Sequence, residues 1–383
     1  MAAKTVVVLG GGIGGLVAAN LLRKRLGKEH RVVMIDKHGK HLFAPSYLWV
    51  LTGQRHPSQV TRDLAKLQKK GIEVVSAEVS NIDPERSIIR ADSQEFPYDY
   101  SIVALGAELA PETIPGFSQV AHNLYDLEGL VRLRTALLTF AGGRVVILIP
   151  SLPFKCPAAP YEAALLLDSI LRKKGLRGRF EIDIFTPETL PMPVAGPVLG
   201  NAVKTMVERQ GIRFHPNSKL LSIRADEKRL TFEGGKEAAF DLLVAVPPHR
   251  SPEVVRRSAL ASETGWIQVD SGTLRTKYDN VFAIGDVTAI KLPTGMMLPK
   301  AGVFAHYQAE VVAHNIAWTI KGEKPGAAFD GRGSCFVEMG GGKAAYATGI
   351  FYSNPPAIKL HRPGRTWHWR KILFEKYWMW RWF

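Results

Sequence analysis

The sequence of 383 residues predicts an α/β protein with two Rossmann-like dinucleotide-binding domains and a C-terminal segment that associates with membranes. Two observations predict the paired domains. A glycine-rich strand–turn–helix–strand unit occupies residues 4–36, and a second unit with the same order of elements occupies residues 142–186. The aromatic and basic stretch 366–383 predicts the membrane segment.

The first unit begins with an apolar strand over residues 6–9, whose composition is typical of a strand buried on both faces. Gly10, Gly12 and Gly15 follow at G-x-G-x-x-G spacing, before a helix and a second strand that ends at Asp36. The three glycines permit a tight turn, close approach of a pyrophosphate, and close helix–strand packing, respectively. The helix N-terminus attracts phosphate, and Asp36 can accept hydrogen bonds from a ribose. A glycine-rich turn without a ligand is the alternative, and the complete strand–helix–strand context disfavours it.

The chain leaves this first unit through a region rich in turn-forming residues. A strand over residues 102–105 ends at Gly106 and is followed by several prolines, which predicts a boundary near residue 108. We expect the first part of a dinucleotide-binding domain at 1–108 and a second Rossmann-like domain at 109–247. The first domain is expected to resume at 248–320, and a C-terminal region to follow at 321–383.

The second unit repeats the order of the first but not its loop. We predict a strand over 144–149, a helix over 160–174 and a strand over 181–185. The loop between the first strand and the helix reads PSLPFKCPAAPYE, with four prolines, no glycine, and Cys156. Proline lacks the backbone N–H that would bind phosphate, and side chains block a pyrophosphate. The second domain is therefore expected to have a nucleotide-binding shape without the nucleotide.

The remaining pattern completes both domains. A short buried helix is expected near residues 48–51, a helix over 199–210, a strand over 212–215, a hairpin over 219–232 and a strand over 241–246. The segment NVFAIGDVTA at 280–289 reads as a strand followed by Gly285 and Asp286. Lys300 follows a proline and leads into a helix over 301–320.

Composition limits the classes of partner. With 50 basic and 35 acidic residues the net charge is +15, which favours phospholipid headgroups, nucleic acid or anionic substrates. No uninterrupted apolar run reaches the roughly 18 residues of a membrane span, so no transmembrane helix is predicted. No cleavable signal is visible at the start, which favours the cytoplasmic side. Two cysteines exclude a disulfide scaffold, and no metal site is predicted.

The order of these motifs resembles the two-dinucleotide-binding-domain flavoproteins. Within that superfamily, KCPAAPYEAA and LPKAGVFAHYQAEVVAHNI are similar to the sulfide:quinone oxidoreductases and to the flavoprotein subunit of flavocytochrome c sulfide dehydrogenase. The resemblance implies FAD as cofactor, and sulfide and a membrane quinone as substrates. It also implies an FAD-dependent enzyme that oxidises sulfide to sulfur or polysulfide.

The same resemblance implies site residues. Asp286 is expected at the ribityl chain of FAD, and Lys300 at the pyrimidine end of the flavin ring. The full set expected to bind the cofactor is Gly10, Gly12, Gly15, Asp36, Lys37, Gly106, Gly285, Asp286 and Lys300. The expected catalytic residues are Cys156, Cys335, Glu162 and Lys300, with the two cysteines facing each other across the flavin.

The chemistry expected of these residues is sulfur exchange. A sulfur bridge between Cys156 and Cys335 is an electrophile for HS⁻, and a lowered thiol pKa would make the freed thiolate reactive. Cys335 is expected to deliver electrons to the flavin, and Cys156 to carry the growing sulfur chain. Glu162 is the candidate base, although its position at a helix start should keep its pKa low. The alternatives are buried structural cysteines, a helix-start acid, and a solvated lysine at position 300.

One departure from the family pattern and two alternative functions stay open. The third cysteine of many sulfide:quinone oxidoreductases has no match in AHNLYDLEG (121–129), so covalent flavin attachment and the route of polysulfide growth stay open. The alternatives are a type II NADH:quinone oxidoreductase, which needs a glycine-rich second loop, and a flavin-bearing scaffold or sensor without turnover.

The tail contains five of the eight tryptophans, interleaved with Arg370, Lys371, Lys376 and Arg381. Tryptophan favours the membrane interface, and basic residues attract anionic lipid. We expect an amphipathic helix that lies on the membrane surface, and deletion of 366–383 is expected to move the protein to the soluble fraction. An aromatic interface between copies of the chain and a nucleic-acid patch are the alternatives, of which a nucleic-acid partner is not expected.

Overall fold

The first parallel sheet forms around the glycine-rich unit. The computed structural model describes residues 2–383. As far as residue 103 its elements are β1 (Thr5–Leu9), α1 (Ile13–Arg25), β2 (Arg31–Ile35), β3 (Lys40–Leu42), α2 (Tyr47–Leu51), β4 (Thr61–Asp63), β5 (Glu73–Val75), β6 (Val79–Asp83), β7 (Ile88–Ala91), β8 (Gln94–Pro97) and β9 (Tyr100–Val103). β1 pairs in parallel with β2 and with β9, and its apolar residues 6–9 are fully buried, as the sequence predicts. The short buried helix near residues 48–51 is confirmed as α2.

The second parallel sheet repeats this architecture. Its region contains β10 (Glu108–Leu109), α3 (Phe117–Val120), β11 (Ala121–Asn123), α4 (Leu127–Thr139), β12 (Gly143–Leu148), α5 (Ala159–Lys173), β13 (Phe180–Phe185), α6 (Pro197–Glu208), β14 (Arg213–His215), β15 (Leu220–Arg224), β16 (Arg229–Phe232), β17 (Glu237–Ala239), β18 (Leu242–Ala245) and β19 (His249–Arg250). The strand order is β11-β18-β12-β13-β14. The predicted strands and helices of this region are confirmed, and each predicted end lies within two residues of the observed end.

The chain then returns to the first sheet. The returning elements are α7 (Glu253–Arg256), β20 (Ile267–Gln268), β21 (Val281–Ala283), β22 (Thr288–Ala289) and α8 (Gly302–Ile320). β21 joins β9, so that the first sheet has the order β21-β9-β1-β2-β5, the same arrangement as the second. Each sheet also has a three-stranded antiparallel meander, β6-β7-β8 inserted before β9 in the first and β15-β16-β17 inserted before β18 in the second. The internal repeat is thus real. β10 and β19 pair where the chain passes out of the first sheet and back.

The C-terminal region contains a sheet that the sequence did not predict. β23 (Arg332–Gly340), β24 (Lys343–Ile350) and β25 (Ala357–Gly364) form an antiparallel sheet, followed by α9 (Arg365–Arg381). Its glycines favoured turns in the sequence. In the structure, alternate residues of β23 and β24, among them Val337, Ala345 and Ala347, join the core of the second domain. This packing places Cys335 of β23 against the second domain.

The predicted tail helix is present as α9, but only one of its faces is free. Its inner face buries Trp378 and Met379 against the first domain, together with Trp382 just after the helix. The same face buries Glu375, which pairs with Arg55, and Lys371, which pairs with Glu162 of α5 in the second domain. Its outer face exposes Trp369, Leu373, Tyr377 and Trp380, with 62, 65, 52 and 75% of each residue accessible. None of the helices formed by residues 2–383 is both long and apolar enough to cross a bilayer.

Candidate active site

The glycine-rich turn between β1 and α1 provides an open cradle. Gly10 has φ of +97°, and a Cβ there would lie 2.6 Å from the carbonyl oxygen of Ala104. A Cβ on Gly15 would lie 1.9 Å from the carbonyl oxygen of Gly10, so helix and turn pack too closely for any side chain. By contrast, no atom lies within 4 Å of a Cβ on Gly12, the residue before α1. This open position at an uncapped helix N-terminus fits a pyrophosphate.

Asp36 lies beside this turn. One carboxylate oxygen accepts a hydrogen bond from the Gly11 N–H at 2.8 Å, and the other accepts from the backbone N–H groups of His38 and Gly39. A carboxylate has about four acceptor sites, so one remains for a ribose hydroxyl. Lys37 lies 3.7 Å from Glu78 and is half exposed, and its predicted contact with the cofactor stays a prediction.

The Gly285–Asp286 pair supplies a second contact for a dinucleotide. Gly285 follows β21, adopts φ of +74° and donates its N–H to Gln308. One carboxylate oxygen of Asp286 is buried without a hydrogen-bond partner in the described chain. Burial raises the pKa of this carboxyl, and the cations of Lys155 and Lys300 oppose that shift. An unpaired buried acceptor is costly, so its position fits a hydroxyl-bearing ligand such as the ribityl chain.

Cys156 lies in the proline-rich loop before α5, in a strained conformation. Its φ is +50°, which a residue with a side chain rarely adopts. The loop is fixed on both sides: the Cys156 N–H donates to the carbonyl of Lys300 at 2.7 Å, and its own carbonyl accepts from the hydroxyl of Tyr125 and the N–H of Ala159. The prediction that residue 156 occupies the position of a phosphate turn therefore agrees with its place between β12 and α5.

Lys300 is buried, so the alternative of a solvated lysine is wrong. Its ammonium donates to the carbonyl oxygens of Asp286 and Thr288 at 2.6 and 3.2 Å, and it lies 3.4 Å from the ring centroid of Trp266. Burial lowers the pKa of Lys300 to about 8, and Asp286 partly opposes this. The ammonium is thus held near the Cys156 loop and the Gly285–Asp286 turn.

Both thiols belong to free cysteines, and they lie close enough for their charges to interact. The charge on Cys156 contributes to the raised pKa of Cys335, and both thiols interact with Glu162 and Lys371. Cys156 is exposed to solvent, and desolvation of its thiol by the surrounding protein raises the pKa to about 12. Burial raises the pKa of Cys335 further. The expectation of lowered thiol pKa values is therefore wrong, because desolvation outweighs the cation of Lys371.

Glu162 lies in the first turn of α5, as predicted, but its pKa is raised rather than kept low. The cause is burial, which outweighs the cation of Lys371 and the hydrogen bonds to the carboxylate. One carboxylate oxygen accepts from the ammonium of Lys371 at 2.6 Å and from the N–H of Glu338 at 3.0 Å. Glu338 in turn pairs with His368 at 2.8 Å. This chain of buried charges joins α5, β23 and α9.

Lys371 is the main correction to the sequence prediction. It was expected to contact lipid together with Arg370, Lys376 and Arg381, but it is only 5% exposed, and its charge acts on both thiols. Its partners Glu162 and Glu338 lie 209 and 33 positions away in the chain, so no local pattern could have revealed the contact. The helical period of the tail was the one available signal, because it places position 371 on the same face as Glu375 and Trp378.

The sequence prediction also missed Tyr125 and His249, which lie at this site. Tyr125 donates to the Cys156 loop, and its ring contacts His249 edge-on with centroids 5.2 Å apart. Burial lowers the pKa of His249 to about 3, with Lys155 and Lys300 adding to the shift. Nδ1 of His249 bonds the Pro247 carbonyl, while Nε2 is buried without a partner in the part of the chain that the structure describes. Within residues 2–383 no group of three or more His, Cys, Asp or Glu side chains could hold a metal ion.

The fold and this site define a class of protein: an oxidoreductase with two dinucleotide-binding-type domains, one of which keeps its phosphate turn while the other carries a cysteine in that place. The chain belongs to the pyridine nucleotide-disulphide oxidoreductase family, whose model matches residues 4–148 and 162–309. Since the glycine-rich turn and the unpaired Asp286 oxygen both fit FAD, the protein is an FAD-dependent oxidoreductase.

Its relatives narrow this class. The chain is 30% identical over 347 residues to the mitochondrial sulfide:quinone oxidoreductase of Dictyostelium discoideum, which spans 86% of this chain and 74% of that protein. It is 28% identical over 369 residues to the mouse mitochondrial enzyme, with 91 and 79% covered. The crystal structure of the sulfide:quinone oxidoreductase from Aquifex aeolicus superposes with a TM-score of 0.89 at 25% identity, covering 99% of this chain and 91% of that one.

Proposed function

We propose that this protein is a sulfide:quinone oxidoreductase, which oxidises sulfide to sulfur or polysulfide and passes the electrons through FAD to a membrane quinone. The proposal is supported by two free thiols whose charges interact: Cys335, and Cys156 in a loop that lacks the phosphate-binding glycines. The relatives named above support the same reaction.

The proposed sulfur chemistry is thiol–disulfide exchange. In the oxidised site a sulfur bridge would join Sγ of Cys156 to Sγ of Cys335. HS⁻ attacks the sulfur attached to Cys156, the bridge breaks, and the products are a Cys156 persulfide and a Cys335 thiolate. The balance is HS⁻ + R–S–S–R′ → R–S–SH + R′–S⁻. Because burial raises both thiol pKa values, the thiolate arises as the leaving group rather than by loss of a proton to water.

Charged groups from three elements support this exchange. The buried ammonium of Lys371 faces both thiols and stabilises the thiolate that leaves. Glu162, whose pKa is raised, can hold a proton in the same cluster and is the proposed acid–base group. Bound FAD supplies the two-electron acceptor, and Lys300 would lie at its pyrimidine end as a cation at neutral pH.

The flavin spectrum during an anaerobic sulfide titration tests this proposal. Wild-type holoenzyme should bleach with sulfide and recover its colour when a quinone is added. Cys156→Ser and Cys335→Ser should each retain FAD and bleach with dithionite, but should lose bleaching by sulfide by a factor of 100 or more. Full bleaching by sulfide in either variant would contradict the assignment.

We also propose that the outer face of α9 docks the protein on a membrane surface, from which a quinone can reach the site. Trp369, Leu373, Tyr377 and Trp380 form a continuous exposed stripe along this helix. Exposed aromatic and apolar groups with flanking basic residues are typical of interfacial helices. The cytoplasmic side of the membrane, which the sequence predicts, and a homo-oligomeric state stay predictions.

Deletion of residues 366–383 is a poor test of this docking, because the same helix buries Trp378 and Lys371 in the protein. Substitution of the outer face is sharper. The triple variant Trp369→Gln/Leu373→Gln/Trp380→Gln should retain FAD and dithionite-dependent bleaching but lose binding to phospholipid vesicles. Vesicle binding equal to that of the wild type would remove the outer face as the docking surface.

A further inference from the structure

A cationic groove lies where the C-terminal end of α1 meets the C-terminal end of α9. Four of its lining side chains are cationic, namely Arg23, Lys24, Lys70 and Arg381, and none of its lining residues is acidic. The groove has a volume of about 230 Å³ and is open to solvent. It lies at the C-terminal end of α1, the end opposite the glycine-rich turn, and neither Cys156 nor Cys335 lines it.

Most of this positive charge is not neutralised. Arg23 donates to the carbonyl oxygens of Leu26 and His30 and so caps α1. Across residues 2–383, however, no carboxylate lies within 4 Å of the charged ends of Lys24, Lys70 or Arg381. Partial desolvation of the Lys70 ammonium, and then the like charge of Arg381, lower the pKa of Lys70. Uncompensated cations placed side by side indicate an anionic ligand.

One residue that lines the groove carries a buried hydrogen-bond donor without a partner in the described residues. Trp382, which follows α9, is 5% exposed and lines the groove. Its indole N–H has no acceptor within the described residues. Its backbone carbonyl is fixed by the amide of Asn20 at 3.3 Å, and the same amide side chain accepts from Lys70 at 3.1 Å. Buried indole N–H groups are normally paired, so this donor points to an acceptor that the protein does not supply.

Helix-dipole stabilisation does not account for the arrangement. Lys24 and Arg381 lie at helix C-termini, where cations are favourable in any protein. Lys70 belongs to neither helix, and the Trp382 donor has no part in stabilising a dipole. A group with several acceptor oxygens and a negative charge satisfies both the cations and the indole at once.

The position of the groove indicates which molecule supplies the anionic group. The groove adjoins the end of α9 at which Trp380 and Tyr377 are exposed on the proposed docking face. We propose that it binds the headgroup phosphate of an anionic membrane lipid and so fixes the orientation of α9 on the bilayer. This inference rests on the membrane docking proposed above and adds a defined lipid site to it.

Vesicle flotation of the FAD-loaded full chain tests the site. The vesicles contain phosphatidylcholine alone, or phosphatidylcholine with one fifth phosphatidylglycerol. The variant Lys70→Gln/Arg381→Gln is compared with Lys173→Gln/Lys174→Gln, which loses the same charge at the exposed end of α5. On phosphatidylglycerol vesicles the groove variant should bind about 10- to 30-fold more weakly, because each cation near an anionic surface contributes about fivefold. The control variant should change by less than about twofold.

Two more variants separate a defined site from general surface charge. Trp382→Phe keeps an aromatic ring but removes the indole N–H, so it should weaken binding to phosphatidylglycerol vesicles and leave binding to phosphatidylcholine unchanged. Lys376→Gln removes an exposed cation of the outer face and should cost less than either groove substitution made singly.

The remaining outcomes overturn the inference in distinguishable ways. If the wild type binds neither vesicle, the docking proposal and the lipid site both fail. If it binds but Lys376→Gln costs as much as each groove substitution, the groove has no special part. If inorganic phosphate at constant ionic strength raises the melting temperature of the wild type but not of Lys70→Gln/Arg381→Gln, and both bind vesicles equally, the ligand is free phosphate and the lipid assignment is wrong.

Discussion

At the scale of single residues, the charge on Lys371 has the largest expected effect. It forms a buried ion pair with Glu162, and removal of one partner of such a pair typically costs about 3–5 kcal/mol. We expect Lys371→Met to lower the melting temperature strongly. It should also slow alkylation of the two thiols about tenfold at neutral pH, because the cation that favours their thiolates is lost.

The double variant Lys371→Met/Glu162→Gln gives this prediction its control. It removes the cation and also the carboxylate that raises both thiol pKa values, so stability and alkylation rate should return most of the way to wild-type values. Lys376→Met, on the exposed face of the same helix, should change neither property. If the double variant has the same melting temperature and alkylation rate as Lys371→Met, the two side chains are not energetically coupled.

Lys300 leads to a prediction of pH dependence. Its ammonium is charged below its pKa of about 8 and neutral above it. If the cation assists the cofactor as proposed, sulfide-dependent bleaching at constant HS⁻ should slow as the pH rises through 8, and Lys300→Met should be slow and show no such step. Stopped-flow measurements between pH 7 and 9.5 provide the comparison.

Destabilisation of the protein through Lys300 would not explain a slower reaction at high pH. The pKa of Lys300 in the folded protein lies below its unfolded value of about 10.5, so the unfolded chain binds more protons between these two values. The contribution of Lys300 to stability therefore rises with pH in this window. A wild-type rate that stays constant from pH 7 to 9.5 would argue against a catalytic charge at this position.

At the scale of elements, α9 is held by a histidine that must be neutral. Nδ1 of His41 bonds the Gly11 carbonyl at 2.9 Å, and Nε2 accepts from the indole N–H of Trp378 at 3.1 Å. Burial lowers the pKa of His41 to about 4, while Asp36 and Arg62 act in opposite directions on it. The contact is fully available above the unfolded pKa of about 6.5 and is lost as the pH falls towards 4.

Acid should therefore loosen the tail helix. Between pH 6.5 and 4 the wild type should lose up to about 3 kcal/mol of stability through His41, since 1.36 kcal/mol corresponds to one pKa unit. His41→Gln, which cannot be protonated, should show a smaller decline in melting temperature over this range, although His249 acts in the same direction in both proteins. The control His56→Gln changes an exposed histidine and should follow the wild type. Parallel curves for wild type and His41→Gln would refute the role of His41.

At the scale of the whole molecule, the sequence predicts the elements whose formation depends on residues close together in the chain. The apolar strands, the glycine turn and the helices of both domains follow from patterns of a few residues, and so their positions were predicted to within a few residues. The C-terminal sheet was missed because its glycines favoured turns, whereas its stability comes from packing on α5 and on the second domain.

The charges of the site were the least predictable part. Glu162 was expected to have a low pKa and Lys371 to face lipid, because each was judged from its own segment. Their actual states depend on one another across 209 positions of the chain and on burial that only the assembled fold produces. Pairs of this kind carry no local signal in a single sequence.

The repeat of two similar domains leads to a prediction about the electron donor. The first domain has an open glycine turn, with space at the Cβ position of Gly12. In the second domain the equivalent loop, residues 150–162, is fixed by Cys156, whose backbone N–H is bonded to Lys300 rather than free for a phosphate. An acid just after β13, Glu188, could correspond to Asp36. It is 4% exposed and bonded to Tyr161 and Thr186. The loop and the acid that would bind a nicotinamide dinucleotide thus form hydrogen bonds within the protein instead.

We therefore expect sulfide, and not NADH, to reduce the flavin. In an anaerobic cuvette, micromolar sulfide should bleach the holoenzyme within seconds, whereas NADH at a hundredfold excess should leave the spectrum unchanged. The reason is that four prolines and the bonded Cys156 N–H replace the free backbone donors of a glycine-rich turn. Dithionite supplies the fully reduced reference, and Cys156→Ser tests whether the sulfide response passes through the thiol. Type II NADH:quinone oxidoreductases resemble this chain at 22–23% identity over most of its length, so the comparison separates two reactions within one fold. Rapid bleaching by NADH would mean that the proline-rich loop opens to admit a nucleotide, and the assignment of sulfide as electron donor would then have to be abandoned.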